Sequence, residues 1–273
     1  MDLPGVHRNA RWAALSALVL VVTACTNSPS PPARPITEHA TPGPATESFA
    51  GHRFTVTFGA QALEKASADG TSLPLVVARA LARVNALLPG PPATITVYYN
   101  STPVIPQTGT SGYTSPATGG ITIGLGQTPQ ASFSMIMRLW LPRTLSHEID
   151  HSVRILAGPG FGASLLEQII SEGISSAFDM SAFPGTPNPW DRAISRSQEC
   201  ALWKEARPLL AQSGLYEAWM FGQPGIPHWT AFTIGYDIVT GYRQRHPDTS
   251  WSAITAASAA TILAGSHYQP CSP

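Results

Sequence analysis

Charged side chains are scarce in this chain: they make up 12% of its 273 residues, with 16 basic and 16 acidic groups in balance. Soluble domains usually carry ~25%. So little charge, beside 43% hydrophobic residues, excludes a highly charged disordered polymer. No basic runs occur, so there is no nucleic-acid footprint. No sustained apolar heptads and no internal repeat are present, which excludes a long coiled coil and a solenoid. The length suits one large domain or two small ones, with enough chain to bury a proper core. Proline, by contrast, is abundant at 26 residues.

The apolar run Trp12 to Ala24 follows Arg8 and Arg11 and is 13 residues long. That is short of the ~20 residues a membrane-spanning helix needs and within the range of a signal-peptide core. It ends in Val22-Thr23-Ala24-Cys25. Small residues before a cysteine resemble a bacterial lipobox, which implies a signal peptide over 1–24. Cys25 would then carry acyl chains and anchor an exported protein to the membrane. Residues 25–50 hold six prolines between Ser28 and Pro44, with Ser, Thr and Ala among them. Such a stretch favours extended conformations and reads as a tether ahead of a domain over 51–273. Outside the reducing cytosol, Cys200 and Cys271 are a disulfide candidate that would close a loop of about 70 residues.

Along the domain, Phe54–Phe58 alternates apolar and polar residues like a half-buried strand. Leu73, Val76, Val77, Ala80, Leu81, Val84 and Leu88 share a helical stripe that Pro89-Gly90-Pro91-Pro92 stops. Thr94–Tyr99 and the glycine-bracketed Ile121–Leu125 read as strands, and Pro103–Gly120 as a loop. Helical patterns dominate from about Ser132. Strands first and helices afterwards predict an α+β fold.

The chemistry concentrates in Pro142-Arg-Thr-Leu-Ser-His147-Glu148-Ile149-Asp150-His151. Pro142 either starts a helix or breaks one already running from about Ser132. His147 and His151 lie one turn apart and about 40° apart around the axis, so both imidazoles can reach one metal ion. Glu148 sits about 100° from His147, beside such an ion, where it suits a general base acting on an activated water. A catalytic zinc usually has three protein ligands. The next predicted helix, roughly Ala163 to Phe178, offers Glu167 and Glu172, about 140° apart, so only one of them faces the metal. Gly173, beside Glu172, permits close backbone approach. Asp179 lies about 20° from Glu172 and can orient a ligating histidine; Asp150 is a weaker candidate for that task.

His147-Glu148-x-x-His151 followed by Ser171-Glu172-Gly173-Ile174 resembles the gluzincin pattern of zinc metallopeptidases. More closely, the chain resembles a family of predicted zinc-dependent proteases of otherwise unknown function. The shared elements are Leu165 to Ile174 and Trp229 to Val239 with Gly235-Tyr236, and the likeness runs from about residue 54 to Tyr268. It implies a zincin-like fold, one Zn2+ held by His147, His151 and Glu172, and Glu148 as base. It also implies Tyr236 as donor to the developing oxyanion, with His228 read as a helix-start residue and His246 as solvated. Asp150 departs from the family's expected bulkier or basic residue. In zincins an edge strand above the active-site helix commonly pairs with an extended peptide, and Ile121–Leu125 is the expected counterpart. The expected function is a membrane-tethered, extracytoplasmic zinc metallopeptidase acting on peptides or proteins, with no nucleic-acid partner. Two alternatives are an inactive relative that binds an envelope partner, and a zinc hydrolase of a non-peptide amide or ester.

Overall fold

The computed structural model describes residues 44–100 and 103–271; the expected signal peptide, Cys25 and most of the tether lie outside them. Alternation of apolar residues builds a five-stranded sheet whose order is β1 (Ala45–Phe49), β2 (Phe54–Phe58), β3 (Ala93–Tyr99), β5 (Ile121–Leu125) and β4 (Thr110–Thr114). Phe54, Val56, Phe58, Ile95, Val97, Ile121, Ile123 and Leu125 are all buried on the sheet, while Thr55, Thr94 and Tyr98 are exposed. The sheet therefore buries one face, as period-two alternation requires.

Two segments differ from expectation. Ala45–Phe49 falls in the stretch assigned to the tether, yet it pairs antiparallel with β2, and Phe49 meets the Phe58 ring edge-on at 6.4 Å. Ala45–Phe49 therefore belongs to the folded domain, ahead of its expected start at residue 51. Its weak alternation hid the strand, which takes its register from β2. Likewise Pro103–Gly120 is not all loop: β4 runs antiparallel to β5 and forms the sheet margin, so β5 lies inside the sheet between β3 and β4. The glycine and threonine content of β4 concealed a strand whose stability comes from its neighbours rather than from β propensity.

α1 (Ala60–Ala68) and α2 (Leu73–Leu87) carry the chain from β2 to a parallel β3. The Ser72 hydroxyl caps α2 and Pro74 occupies its first turn, which suits the missing N–H of proline. The sheet is thus mixed, and it precedes a mainly helical half, in keeping with α+β. That half begins with a short turn, α3 (Phe133–Met135), a π-helical turn over Ile136–Trp140 and the long α4 (Leu141–Ala157). Both readings of Pro142 are met. The helical path already runs from Phe133, and the wider π turn makes room where the proline ring would strike a preceding carbonyl.

α5 (Leu165–Ala182) follows, then α6 (Arg196–Ala206), α7 (Tyr216–Phe221), α8 (Thr230–Arg245), α9 (Trp251–Ala256) and α10 (Ala259–Ser266). α5 and α8 touch backbone to backbone. A Cβ at Gly173 would lie 2.3 Å from the Gly235 carbonyl carbon, and one at Gly235 would lie 2.1 Å from the Ile169 oxygen. Cys200 and Cys271 form a disulfide with Cα atoms 4.8 Å apart, tying α6 to the C-terminal end. Among the described residues, no helix is long and apolar enough to cross a membrane.

Candidate metal centre and cleft

α4 is buried on nearly every side from Leu141 to Arg154, and each of its faces has a different task. Leu141, Leu145 and Ile149, spaced by four, enter the apolar core. Thr144, Glu148 and Ser152, again spaced by four, face β4 and its turn. The Thr144 and Thr110 hydroxyl oxygens lie 2.8 Å apart, the Thr114 hydroxyl donates to Glu148 Oε2 at 2.7 Å, and the Ser152 hydroxyl donates to the Gly119 carbonyl at 2.7 Å. His147 and His151 form the third row and face α5.

Three side-chain atoms from the two helices converge. His147 Nε2 lies 3.2 Å from Glu172 Oε2 and 3.2 Å from His151 Nε2, and His151 Nε2 lies 3.3 Å from Glu172 Oε2. Ligand atoms on a tetrahedral zinc with ~2.0–2.1 Å bonds stand ~3.3 Å apart. The triangle therefore fits such an ion, and its donor set, two imidazole nitrogens and one carboxylate oxygen, is one zinc accepts. His147, His151 and Glu172 are all buried and can hold a metal. Glu167 is a cap instead: its Oε2 accepts from the Ala163 and Ser164 backbone amides at 3.1 and 2.9 Å, closing a capping box with Ser164.

The ring nitrogens pointing away from the triangle are also placed. The Ser175 hydroxyl donates to Asp150 Oδ2 at 2.8 Å, and its oxygen lies 3.1 Å from His151 Nδ1. The Thr255 hydroxyl donates to Asp150 Oδ1 at 2.5 Å. With Ser175's proton committed to Asp150, its oxygen accepts from His151 Nδ1–H, which leaves the Nε2 lone pair free for a metal. Asp150 thus acts through Ser175. His147 Nδ1 faces Asp179 Oδ2 at 3.5 Å, as the spacing of Asp179 from Glu172 suggests. Asn188 Nδ2 donates to both Asp179 oxygens at 3.0 and 3.1 Å. Trp190, whose indole nitrogen donates to Ser176 at 3.1 Å, meets the His147 ring edge-on at 6.3 Å.

Electrostatics follow from this burial. Burial alone would lower the His147 pKa, but Asp179 and Glu172 reverse that and hold it well above the ordinary value. A cation entering the triangle must therefore displace a proton. Burial would raise Glu172, yet the His151 and His147 imidazoles bring it far below the usual carboxylate range. Burial pushes Asp179 up, and burial together with the Asp179 charge pushes Asp191 up to about 8.

The triangle opens onto a cleft of about 770 Å³. Glu148 lies in it, 7% exposed. Gly112 of β4 presses on this carboxylate so closely that a Cβ there would come within 2.2 Å of Glu148 Oε1. β4, not β5, supplies the strand beside the site. The opposite wall carries Phe161, Tyr216, Phe221, His228, Trp229 and Phe232. The Tyr216 hydroxyl donates to Glu172 Oε1 at 2.9 Å, leaving Oε2 to the triangle. Burial and Glu172 push the Tyr216 pKa up, which keeps it a proton donor.

A family model matches this chain over residues 75–264, and its description is predicted Zn-dependent protease (DUF2268). The chain belongs to that family. The match spans every residue of the triangle, Glu148, β4 and the aromatic wall, while β1, β2 and Cys271 fall outside it. No curated protein and no solved structure matches the chain.

Tyr236 is a correction to the family-based expectation. It does not line the cleft but a separate depression with Ser181, Arg243 and Gln244. It follows Gly235, which packs backbone to backbone on Gly173 of α5. His228, read as a helix-start residue, does precede α8, but it also faces the cleft, stacked on Trp229 at 4.3 Å. His246 is exposed, as expected, beside Tyr242. The sequence did not announce Tyr216, Ser175, Thr114 or Gly112. The four-residue spacing of Thr144, Glu148 and Ser152 was the available sign that a buried helix met a polar neighbour on that side; nothing comparable marks Tyr216, which comes in from the start of α7, 44 residues beyond Glu172.

Proposed function

We propose that the protein is an extracytoplasmic, membrane-tethered metallopeptidase that uses one zinc ion. The observation that carries this is the closed triangle of His147, His151 and Glu172 with Glu148 beside it in an open cleft. A bound zinc supplies Lewis acidity, polarising a scissile carbonyl and making a water more acidic. Glu148 takes a proton from the attacking water and returns it to the leaving amine, so that water and the peptide become an acid and an amine. The Thr114 hydroxyl aims the Glu148 carboxylate, and Gly112 leaves it room. Tyr216 takes the part first assigned to Tyr236: its hydroxyl, which donates to Glu172 Oε1 in the resting site, swings its one proton from that carboxylate to meet charge developing on the carbonyl oxygen. An extended substrate lies along β4 at the sheet margin. Tethering rests on the lipobox-like Val22–Cys25 and export on the leader over 1–24, and the Cys200–Cys271 disulfide suits an oxidising compartment.

The test is Glu148→Gln in the zinc-loaded protein. It should keep about one zinc per chain by elemental analysis and lose about 10³-fold in kcat on peptides. Undiminished hydrolysis by that variant would defeat the mechanism. Product analysis on envelope fractions separates peptide cleavage from that of other amides and esters.

A further inference from the structure

The cleft's charge and shape, taken with the peptidase reading on which this rests, specify the substrate further. Among the described residues lining the cleft, the only aspartate, glutamate, lysine or arginine side chains are Glu148 and Glu172, and both are committed to the reaction. An enzyme that trims chain ends holds the charged terminus with an opposite charge. Among the described residues lining the cleft, no lysine or arginine awaits a carboxylate and no carboxylate is spare for an ammonium, and the imidazole of His228 is stacked on Trp229.

What the cleft offers instead is a run of rings. Phe161 meets Tyr216 edge-on at 5.5 Å, Tyr216 meets Phe221 at 5.7 Å, and Phe221 leads on to His228 at 6.2 Å, which stacks on Trp229. Phe221 is 49% exposed, a large apolar surface left in water at the mouth of the site. Tyr113 of β4, 60% exposed, faces the same cleft. Rings with apolar faces turned to water gain most by covering an aromatic or large aliphatic side chain.

We infer that the enzyme is an endopeptidase that cuts inside an extended, uncharged segment and seats an aromatic or large aliphatic side chain beside the scissile bond, against Phe161, Tyr216 and Phe221. A chain blocked at both ends satisfies this site, and a side-chain charge next to the cut does not.

The experiment uses zinc-loaded wild-type protein and internally quenched peptides, acetylated and amidated at their ends. Their central residue is Phe, Leu, Asp or Lys, and free-ended versions run in parallel. Expected is a kcat/KM at least 10-fold higher for Phe and Leu than for Asp and Lys, with end-blocking changing rates less than 2-fold. Phe221→Ala, at an exposed position that leaves the core intact, should raise KM for the Phe peptide several-fold with little change in kcat. A strict need for a free terminus, or equal rates for all four residues, overturns the inference while leaving the peptidase reading standing. The same peptides are titrated against zinc-loaded Glu148→Gln by fluorescence anisotropy. If the wild type cuts none of them but this variant binds the Phe peptide 10-fold tighter than the Asp peptide, the hydrolytic reading fails and the specificity stands. If there is neither cleavage nor discrimination in binding, both fall.

Discussion

The wall of the cleft made by α4 and α5 carries His147, Glu148, His151 and Glu172, each held by a polar partner, whereas the wall made by Phe161, α7 and the start of α8 carries rings that touch mainly one another. Two long, buried helices set the first. Short elements joined by turns build the second, with Trp229 at the unusual φ of 64° immediately before α8. The difference fits two physical demands. Bond making needs side chains fixed to a fraction of an ångström, which rigid helices and orienting hydrogen bonds provide. Recognising an apolar side chain needs area and little direction.

That contrast can be broken most severely on the polar side. Glu172→Ala removes one ligand and leaves two buried imidazoles facing each other. Zinc content should drop from about one ion per chain to near none after dialysis, with activity lost by about 10³-fold or more. Zinc retained in full would move the third ligand elsewhere. Gly112→Ala is next, because it leaves every ligand in place and only pushes on Glu148. A catalytic group displaced by about 1 Å costs about 10²-fold, so kcat should fall by that factor while zinc content holds. Unchanged kcat would show that Glu148 has slack.

Smaller effects sharpen the comparison. Ser175→Ala takes away the acceptor for His151 Nδ1–H and should weaken zinc affinity about 10–100-fold, measured by competition with a chelator. Equal affinity would mean that Ser171, 3.4 Å from the same nitrogen, does the orienting. The smallest change lies outside both walls. Burial and the neighbouring Glu199 push Asp237 up to about 6 from 3.8. A carboxyl raised on folding stabilises the native state below its unfolded value and loses that contribution as pH rises through its folded value. Between pH 4 and pH 8 the wild type should therefore lose stability relative to Asp237→Asn, by an amount on the order of 1 kcal/mol given its partial exposure. Parallel thermal unfolding curves at the two pH values would contradict this.

Those outcomes bear on how far the residues speak for themselves. The four-residue spacing of His147 and His151 is a property of one helix, so it was readable without a fold. The same holds for the stripe of α2 and for the close backbone approach that Gly173 permits. Choosing between Glu167 and Glu172 needed either the family likeness or the structure, since both sit on one helix and only the docking angle of α5 on α4 separates them. β1 and β4 escaped because marginal strands of Thr, Ser and Gly draw stability from the partner strand, which local sequence does not show.

Local sequence alone fixes the His147/His151 pair one helical turn apart, the glutamate between them, the α+β order and the two cysteines able to bridge. Each depends on composition or on neighbours within about one helical turn. Tertiary structure alone decided that Tyr216, and not Tyr236, reaches Glu172. It also places β4, and not β5, beside Glu148, and links Asp150 to His151 through Ser175. Those contacts join segments from 24 to 44 residues apart. Such separations leave the chain many possible paths, and only the packing of α4, α5, α8 and the sheet margin selects one.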